Sequence, residues 1–521
     1  NLVVSQPLLP HSWFLGHLSI MNEFRREHPP DVNFNHFHVW IVQNYKRFLP
    51  SLQHPPAGLY LDLWPVLSAP MLFVYNPQTS AQFTSTRNTP KHQIGLDFLA
   101  PLTQMQDVST LQGSEWKRWR NWLNPGFGSK NVTSMMTEVV DETKTFARCL
   151  EARAGRDYQW GPVFQLKMFT GKLTFDIIAR AVLDKNLGEQ LIEDNSVLKS
   201  TLEDQLRLMG QSQAFSFSGL KLWGDMKVAQ NNKVIYDILV EDVQRGLDEF
   251  RYGTRGSKTK TILYLALKNL SEEAEEGGIG PDHPDMVNVI IANLKCFLVA
   301  GHETTASAMC FMYKVLQDYP EHTAKVRAEH EEVFGDDPDA AGEVLKAKPH
   351  LLNAIPYTTA VIKESLRMYQ LASTLRAGAP DLYLTDPNLG IQCPTDGFLI
   401  SDGAAGIHRD PDLWPMAEEF IPKRYLVPEG HELHPPKEAW RAFGRGPRDC
   451  IGKEIAMVEM KIAAVLTART LDIETAWDEW DEKTDWKVWG DRLYVSGDGV
   501  GKPKEGMPVH VRRRRAKKLP S

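Results

Sequence analysis

The chain has 521 residues, of which 42% are hydrophobic and 10% are aromatic, and its formal net charge is −7. This composition suffices for a large buried core and excludes a disordered chain, and the modest charge gives no sign of nucleic-acid binding. The five cysteines are far apart and form no C-x-x-C pair, which argues against a disulfide framework or a zinc site and fits a reducing compartment.

Residues 1–20, NLVVSQPLLPHSWFLGHLSI, are apolar and interrupted by proline. The stretch is not a signal peptide, and it is either an ordinary loop or the hinge that follows a membrane anchor. We expect a hinge after an anchor that is missing here, because the stretch is Pro-rich and the chain does not begin with Met. At the other end, residues 510–521 are basic and are predicted to be a solvated tail, with contact to anionic lipid as the alternative.

The segments between the two ends alternate in character. Short apolar runs in the first hundred residues, such as GLYLDLWPVLSAPMLFVYNP, predict a small sheet, and helical periodicity dominates from residue 113 to 368. The acidic, Gly- and Pro-rich residues 270–285 read as an exposed connector before a long apolar helix. That helix contains Lys295, His302 and Glu303, which favours a buried helix over a membrane span. We therefore predict one unit, mainly α with a minor β part.

One cysteine stands in an open polar turn, AFGRGPRDCIGKE at residues 442–454. Cys450 precedes a helix that begins near Gly452, and Arg445 and Arg448 are close in sequence. A helix N-terminus and nearby arginines lower the pKa of a thiol, and the thiolate is the metal-binding form. The turn therefore indicates an anionic sulfur held against a bulky cofactor, although a surface turn with an incidental cysteine remains an alternative.

The surrounding pattern decides between these two readings. Phe443, Gly446, Arg448, Cys450 and Gly452 match F-x-x-G-x-R-x-C-x-G, which resembles the haem-binding loop of cytochrome P450 enzymes. The resemblance implies that the cofactor is haem b and that the cysteine sulfur is the axial ligand of its iron. It also implies that Phe443 packs beside the sulfur and that Arg448 pairs with a haem propionate.

A second motif, KESLR, places Glu364 and Arg367 three residues apart on one helix face. Alone, such a pair is more often a surface ion pair. Further along the chain, FIPKRY supplies Arg424. The resemblance implies that these three residues form a buried structural network that supports the haem loop.

The long helix carries a third motif, AGHETTAS. Ala300 and Thr304 are four residues apart and share a face, with Glu303 one step round. Gly301, together with the hydroxyls of Thr304 and Thr305, could loosen the helix and leave room for a small molecule. Alone, the motif is more often a helix kink. The resemblance implies an oxygen-activating motif that delivers protons, with Glu303 as the acid and Thr304 as the alcohol.

A fourth motif, WKRWR, places Trp116 and Arg120 four residues apart on one helix. A basic amphipathic helix is the simpler explanation. The resemblance implies that both residues approach a haem propionate, and that Arg376, nine residues after Arg367, is another propionate partner.

The resemblance extends over residues 7–508 and implies that residues 1–521 form a single P450 catalytic domain. It places the haem between the long central helix and the helix that follows the cysteine loop. The implied function is O2-dependent insertion of one oxygen atom into a mid-sized hydrophobic substrate, with electrons from NADPH through a separate flavoprotein reductase. The sequence looks like a microsomal, possibly fungal, enzyme of the endoplasmic reticulum membrane, with its catalytic domain facing the cytosol.

Other chemistry stays open at this point. Oxidative coupling, desaturation and ring formation are alternative haem-thiolate reactions, and a non-catalytic haem protein that binds a ligand is a further one. Basic residues near the proximal motifs are candidates for contact with an acidic reductase: Lys117, Arg118, Arg441, Arg445 and Lys453. By analogy with the family, the substrate pocket is built from residues 88–112, 206–222, 293–300, 371–376 and 496–501.

Overall fold

The computed structural model describes residues 8–64, 69–214, 220–252, 261–275, 286–481 and 486–515, without the side chains of residues 210–223 and 273–275. The α-helices of the described N-terminal half are α1 Leu18–Glu27, α2 Asn35–Gln43, α3 Tyr45–Phe48, α4 Pro77–Ala81, α5 Gln93–Thr103, α6 Gly113–Phe127, α7 Ser129–Ser134, α8 Met136–Glu151, α9 Leu166–Leu183, α10 Val197–Ala214 and α11 Leu220–Tyr252. The later ones are α12 Ile262–Glu275, α13 Met286–Asp318, α14 Pro320–Phe334, α15 Ala341–Ala347, α16 Pro356–Met368, α17 Ala404–Arg409, α18 Lys453–Thr467 and α19 Trp477–Trp480.

The strands are short. They are β1 Gly58–Leu61, β2 Met71–Val74, β3 Phe164–Gln165, β4 Thr374–Ala377, β5 Tyr383–Asp386, β6 Ile391–Pro394, β7 Leu399–Asp402, β8 Leu471–Thr475, β9 Val495–Ser496, β10 Lys502–Pro503 and β11 Pro508–Arg513. The largest sheet has the order β1-β2-β7-β4, in which β2 and β7 are parallel and the other neighbours are antiparallel. Strands β3, β11 and β8 form a second sheet, and β5–β6 and β9–β10 are hairpins.

Helix α13 is the centre of the main hydrophobic core. It packs against α5, α9, α11, α16 and α18. Among the described residues it is the one helix long and apolar enough to span a membrane, but 72% of its apolar window is buried inside the protein. The prediction of a buried helix at this position is therefore confirmed, and so is the mainly α fold with a minor β part.

Two predictions at the edges of the domain need correction. The supposed tail from residue 510 begins inside β11, where Val511 pairs with Ile473 of β8, because its alternating valines fill the core side of that sheet. The acidic connector also begins later than predicted, since α12 continues to Glu275. Residues 276–285 lie outside the described residues, as do residues 1–7 and 516–521 of the two ends.

Candidate active site

The cysteine turn closes on itself before α18 begins. The backbone N–H of Cys450 donates to the carbonyl of Phe443 at 2.9 Å, and Gly452 caps α18 at its N-terminus. Gly446 has φ +83°, and a Cβ there would lie 2.2 Å from the carbonyl oxygen of Thr84, so only glycine fits. Among the five cysteines Cys450 alone is exposed, which leaves its sulfur open to a partner.

Effects of opposite sign act on the pKa of the Cys450 thiol. Burial of the loop raises its pKa above the usual value, although the N–H of Gly452 and the charges of Arg120 and Lys453 act in the opposite direction. The flanking Arg448 does not assist, because its guanidinium points to the α6 side of the site. A metal ion deprotonates a coordinating thiol outright, so iron coordination would supply the thiolate.

The central helix presents an exposed face in its middle. Ala300 is exposed and Thr304 is half-buried, whereas Leu298 and Ala306 on the same helix are fully buried. The Thr304 hydroxyl donates to the carbonyl of Ala300 at 2.8 Å. Helix α13 also packs against α18, the helix that follows the cysteine turn.

Gly301 does not leave space for a small molecule as the sequence suggested. A Cβ at this position would lie 2.8 Å from Cγ1 of Ile178 on α9. The glycine therefore allows α13 to pack closely against α9. The hydroxyl of Thr174 on α9 donates to the carbonyl of His302 at 3.0 Å across the same close contact.

Glu303 lies on the α9 side of the central helix as well. Its carboxylate receives hydrogen bonds from Lys167 Nζ at 3.0 and 3.1 Å, and Lys502 Nζ of β10 lies 3.5 Å away. His302 Nε2 is also 3.5 Å from the carboxylate. Burial alone would raise the pKa of Glu303, but His302 and the two lysines hold it well below its usual range. The sequence assigned Glu303 as an acid, yet in this arrangement it is a paired carboxylate.

Three cations, Lys91, Arg376 and Arg448, lie near one another. Arg376 is 1% exposed, and its Nε and Nη1 have no hydrogen-bond partner among the described residues. Burial lowers the pKa of Arg376 and of Arg448 to about 10 each, and their proximity adds to the burial that lowers the pKa of Lys91 to about 8. Buried cations of this kind require an anion, and the two propionates of a haem would supply it.

The two residues of the WKRWR motif adjoin these cations. The guanidinium carbon of Arg448 lies 4.1 Å from the ring centroid of Trp116, which is buried. Arg120 donates to the backbone and side chain of Asp449 at 2.9 and 2.8 Å. It therefore joins α6 to the residue directly before Cys450, and this contact to the loop was not predicted.

The residues Glu364, Arg367 and Arg424 form a fully buried ion network. Arg367 pairs with both carboxylate oxygens of Glu364 at 2.9 Å, and Arg424 Nε donates to the same carboxylate at 3.1 Å. Arg367 also donates to the carbonyls of His408 and Ala417 at 2.6 and 2.8 Å. The network thus joins α16 to the chain that leads into the cysteine loop.

The predicted reductase-facing cations are only partly accessible. Lys117 and Arg118 are exposed. Arg441, in contrast, is fully buried and pairs with Asp402 at 3.0 Å, so its assignment to a docking surface was wrong. Arg445 pairs with Glu438 at 3.3 Å.

Comparison with known proteins bears on this arrangement. The family described as Cytochrome P450 matches residues 44–488. The chain belongs to the cytochrome P450 family. It is similar to cytochrome P450 monooxygenase polC of Polytolypa hystricis, with 33% identity over 97% of this chain and 89% of that one. It is also similar to cytochrome P450 monooxygenase acrF of Aspergillus aculeatus, with 28% identity over 87% and 93%.

Relatives outside the fungi and solved structures are also similar to this chain. Cytochrome P450 4A7 of Oryctolagus cuniculus is 25% identical over 88% of this chain and 83% of that one. The fold matches the crystal structure of the cytochrome P450DA heme domain with a TM-score of 0.76, at 18% identity and 99% and 98% coverage. The predicted family, fold and enzyme class, a cytochrome P450 monooxygenase, are thereby confirmed. Family membership implies a haem-thiolate cofactor.

Proposed function

We propose that this chain binds haem b through Cys450 and inserts one oxygen atom of O2 into a mid-sized hydrophobic organic substrate. The observation that carries this proposal is the exposed Cys450 within its F-x-x-G-x-R-x-C-x-G turn. When bound, the haem supplies the iron at which O2 is reduced, and a thiolate ligand favours O–O cleavage.

Charged side chains and the backbone of the cysteine turn would hold the cofactor. Arg376, Arg448 and Lys91 would neutralise the propionates, since Nε and Nη1 of Arg376 and Nε of Arg448 have no hydrogen-bond partner among the described residues. Trp116 stacks against Arg448 and keeps its guanidinium in place. Phe443 closes the loop through its carbonyl, and Gly452 begins the helix whose N–H groups point toward the sulfur.

Thr304 is the residue that passes protons into the cavity. Its hydroxyl lies on the Ala300 face and is satisfied by the Ala300 carbonyl, so it can accept a proton-donating partner from the cavity side. Glu303 contributes a proton only after its carboxylate separates from Lys167, because the pair keeps it ionised.

Electrons come from NADPH through a separate flavoprotein reductase. Lys117 and Arg118, exposed on α6 close to the cysteine loop, offer positive charge to an acidic partner. The test is oxygen uptake by the haem-loaded protein with NADPH and a reductase. Uptake that increases with a bound organic substrate and yields an oxygenated product supports the proposal, and NADPH-independent ligand binding without turnover contradicts it.

We place the enzyme at the endoplasmic reticulum membrane, with its catalytic domain facing the cytosol. Trp13, Phe14 and Leu15 are 87%, 73% and 54% exposed, and Trp64 beside them is 59% exposed. The backbone N–H of His17 donates to the carbonyl of Asp62 at 2.8 Å, which joins the two exposed segments. Exposed Trp and Phe side chains are typical of membrane interfaces. Expression of the complete native gene tests this placement, and full recovery in the cytosolic fraction contradicts it.

A further inference from the structure

One lysine of the central helix, Lys295, has no role in the site described above. Lys295 is 7% exposed, and its Nζ donates to Oδ1 of Asn232 on α11 at 2.9 Å. Among the described residues no carboxylate pairs with it. Burial lowers its pKa to about 8, with no contribution from a neighbouring charge.

The charge of another buried lysine of the same helix, Lys314, is compensated by carboxylates. Lys314 is 5% exposed but pairs with both Asp318 and Asp491, and its pKa is raised in spite of burial. Burial of a lone ammonium group is costly. The protein therefore retains at Lys295 a cation that it does not neutralise with its own described side chains.

Polar groups of two neighbouring helices converge near Lys295. Asn232 donates from its Nδ2 to the carbonyl of Pro101 at the end of α5. Gln205 of α10 is fully buried and donates from its Nε2 to the same carbonyl at 3.2 Å. The oxygen of the same side-chain amide, Gln205 Oε1, has no hydrogen-bond partner among the described residues. A buried acceptor without a donor indicates that a donor comes from outside the described protein groups.

These groups lie where the substrate pocket is proposed. Pro101 and Lys295 belong to two of the expected pocket segments, and Gln205 directly precedes a third. The helices that carry them, α5, α10, α11 and α13, pack against one another. Lys295 is five residues before Ala300, and the rise of an α-helix places the two residues about 7.5 Å apart along the axis.

We propose that Lys295 binds a carboxylate group of the substrate. The ammonium group would donate a charge-assisted hydrogen bond to the carboxylate while it keeps its bond to Asn232. One water molecule that donates to both the carboxylate and Gln205 Oε1 would satisfy the unpaired amide oxygen. The substrate class is thus a hydrophobic acid, and this inference rests on the proposed monooxygenase function.

The test compares acids with their esters. Dodecanoic acid, hexadecanoic acid and abietic acid, and the methyl ester of each, are titrated into the haem-loaded protein, and binding is followed by the haem spin state. We expect at least one acid to bind about tenfold or more tightly than its ester, since one charge-assisted hydrogen bond is worth that factor. Lys295→Met should abolish this preference and Lys295→Arg should keep most of it.

The matched control is Lys233→Met, on α11 beside Asn232. Lys233 is 75% exposed and pairs with Asp237, so its removal changes the net charge equally but leaves the buried cation in place. The acid preference should persist in this variant. An equal affinity for acids and esters, binding of none of the acids, or a preference that survives Lys295→Met would each overturn the inference.

A second measurement separates substrate binding from a structural role. Because the uncompensated ammonium destabilises the free protein, Lys295→Met should have a melting temperature at least as high as that of the wild type, and a bound acid should raise only the wild-type value. A lower melting temperature without ligand would instead assign Lys295 to the core. Every variant is first checked for the thiolate-type carbon monoxide spectrum. Its absence from the wild type refutes the proposed function, whereas its presence without acid preference refutes this inference alone.

Discussion

Lys167 Nζ of α9 lies 3.0 Å from Oε2 of Glu303 on the central helix α13. The carboxylate is 9% exposed and the lysine 18% exposed. This ion pair therefore connects two core helices, and it holds the carboxylate that the sequence motif predicts as a proton donor.

Replacement of this carboxylate should cost stability. Glu303→Gln leaves Lys167 without its partner, and loss of one member of a buried pair typically costs about 3–5 kcal/mol. We expect a lower value here, about 1–3 kcal/mol, because the lysine is partly solvated. Denaturant unfolding of wild type and variant measures the difference. An unchanged free energy of unfolding would show that the pair is not structural.

The pH dependence of that difference has a defined direction. The pKa of Glu303 is lowered in the folded protein, so the stability from the pair is fully present above the usual carboxyl pKa and is lost only as the pH falls toward the folded value. The difference between wild type and Glu303→Gln should stay constant from about pH 6 to pH 8 and shrink only below about pH 4. A difference that changes near neutral pH would contradict this assignment.

Thr304 should affect proton delivery without affecting stability. In Thr304→Ala we expect haem and substrate binding to persist, while product formed per NADPH falls and peroxide rises, because general acid–base help is worth about 10²- to 10⁴-fold. The buried neighbour Thr305 provides the control, and Thr305→Ala should keep wild-type coupling. Product, peroxide and NADPH are measured together. Unchanged coupling in Thr304→Ala would assign the relay to another hydroxyl or to the substrate.

The buried ion network should be required for folding and not for chemistry. Arg367→Ala leaves Glu364 uncompensated, which typically costs about 3–5 kcal/mol, so little haem-loaded protein should accumulate. Arg87→Ala removes a pair whose members are 38% and 74% exposed and should cost about 0–1 kcal/mol. Normal haem content in Arg367→Ala together with a slowed chemical step would refute the structural assignment.

Arg376 should hold the cofactor rather than the polypeptide. Because Nε and Nη1 of its guanidinium lack partners among the described residues, Arg376→Met should leave the apoprotein at least as stable as the wild type and should accelerate haem loss several-fold. Haem transfer to apomyoglobin gives the rate, and Arg87→Met is the control for loss of one positive charge. Equal rates of haem loss would show that the propionates lie elsewhere.

Spacing in the sequence was sufficient to identify the motifs that act through the backbone or through neighbours on one helix. The cysteine turn depends on glycines such as Gly446, whose positive φ no other residue adopts easily, and Glu364 and Arg367 meet because they are three residues apart. Such local relationships can be predicted from residue spacing in the sequence alone.

Contacts between elements that are distant in sequence could not be predicted from residue spacing. Lys91 reaches the cations of the site because its backbone pairs with Arg376 of β4, and no motif marks it. Arg441 was predicted to be a surface charge, because the sequence does not show that Asp402 of β7 lies beside it. Gly301 was assigned to the cavity, although the packing of α9 against α13 decides which side of the helix it faces.

The central claim is that Cys450 ligates the haem iron as a thiolate. The carbon monoxide complex of the reduced, freshly prepared protein should show the red-shifted Soret band of thiolate ligation, and Cys450→Ala should lose both that band and all turnover. The buried Cys310→Ala, which leaves the cysteine turn intact, should keep the band. A spectrum typical of histidine-ligated haem in the wild type, or a band that persists in Cys450→Ala, would contradict the account.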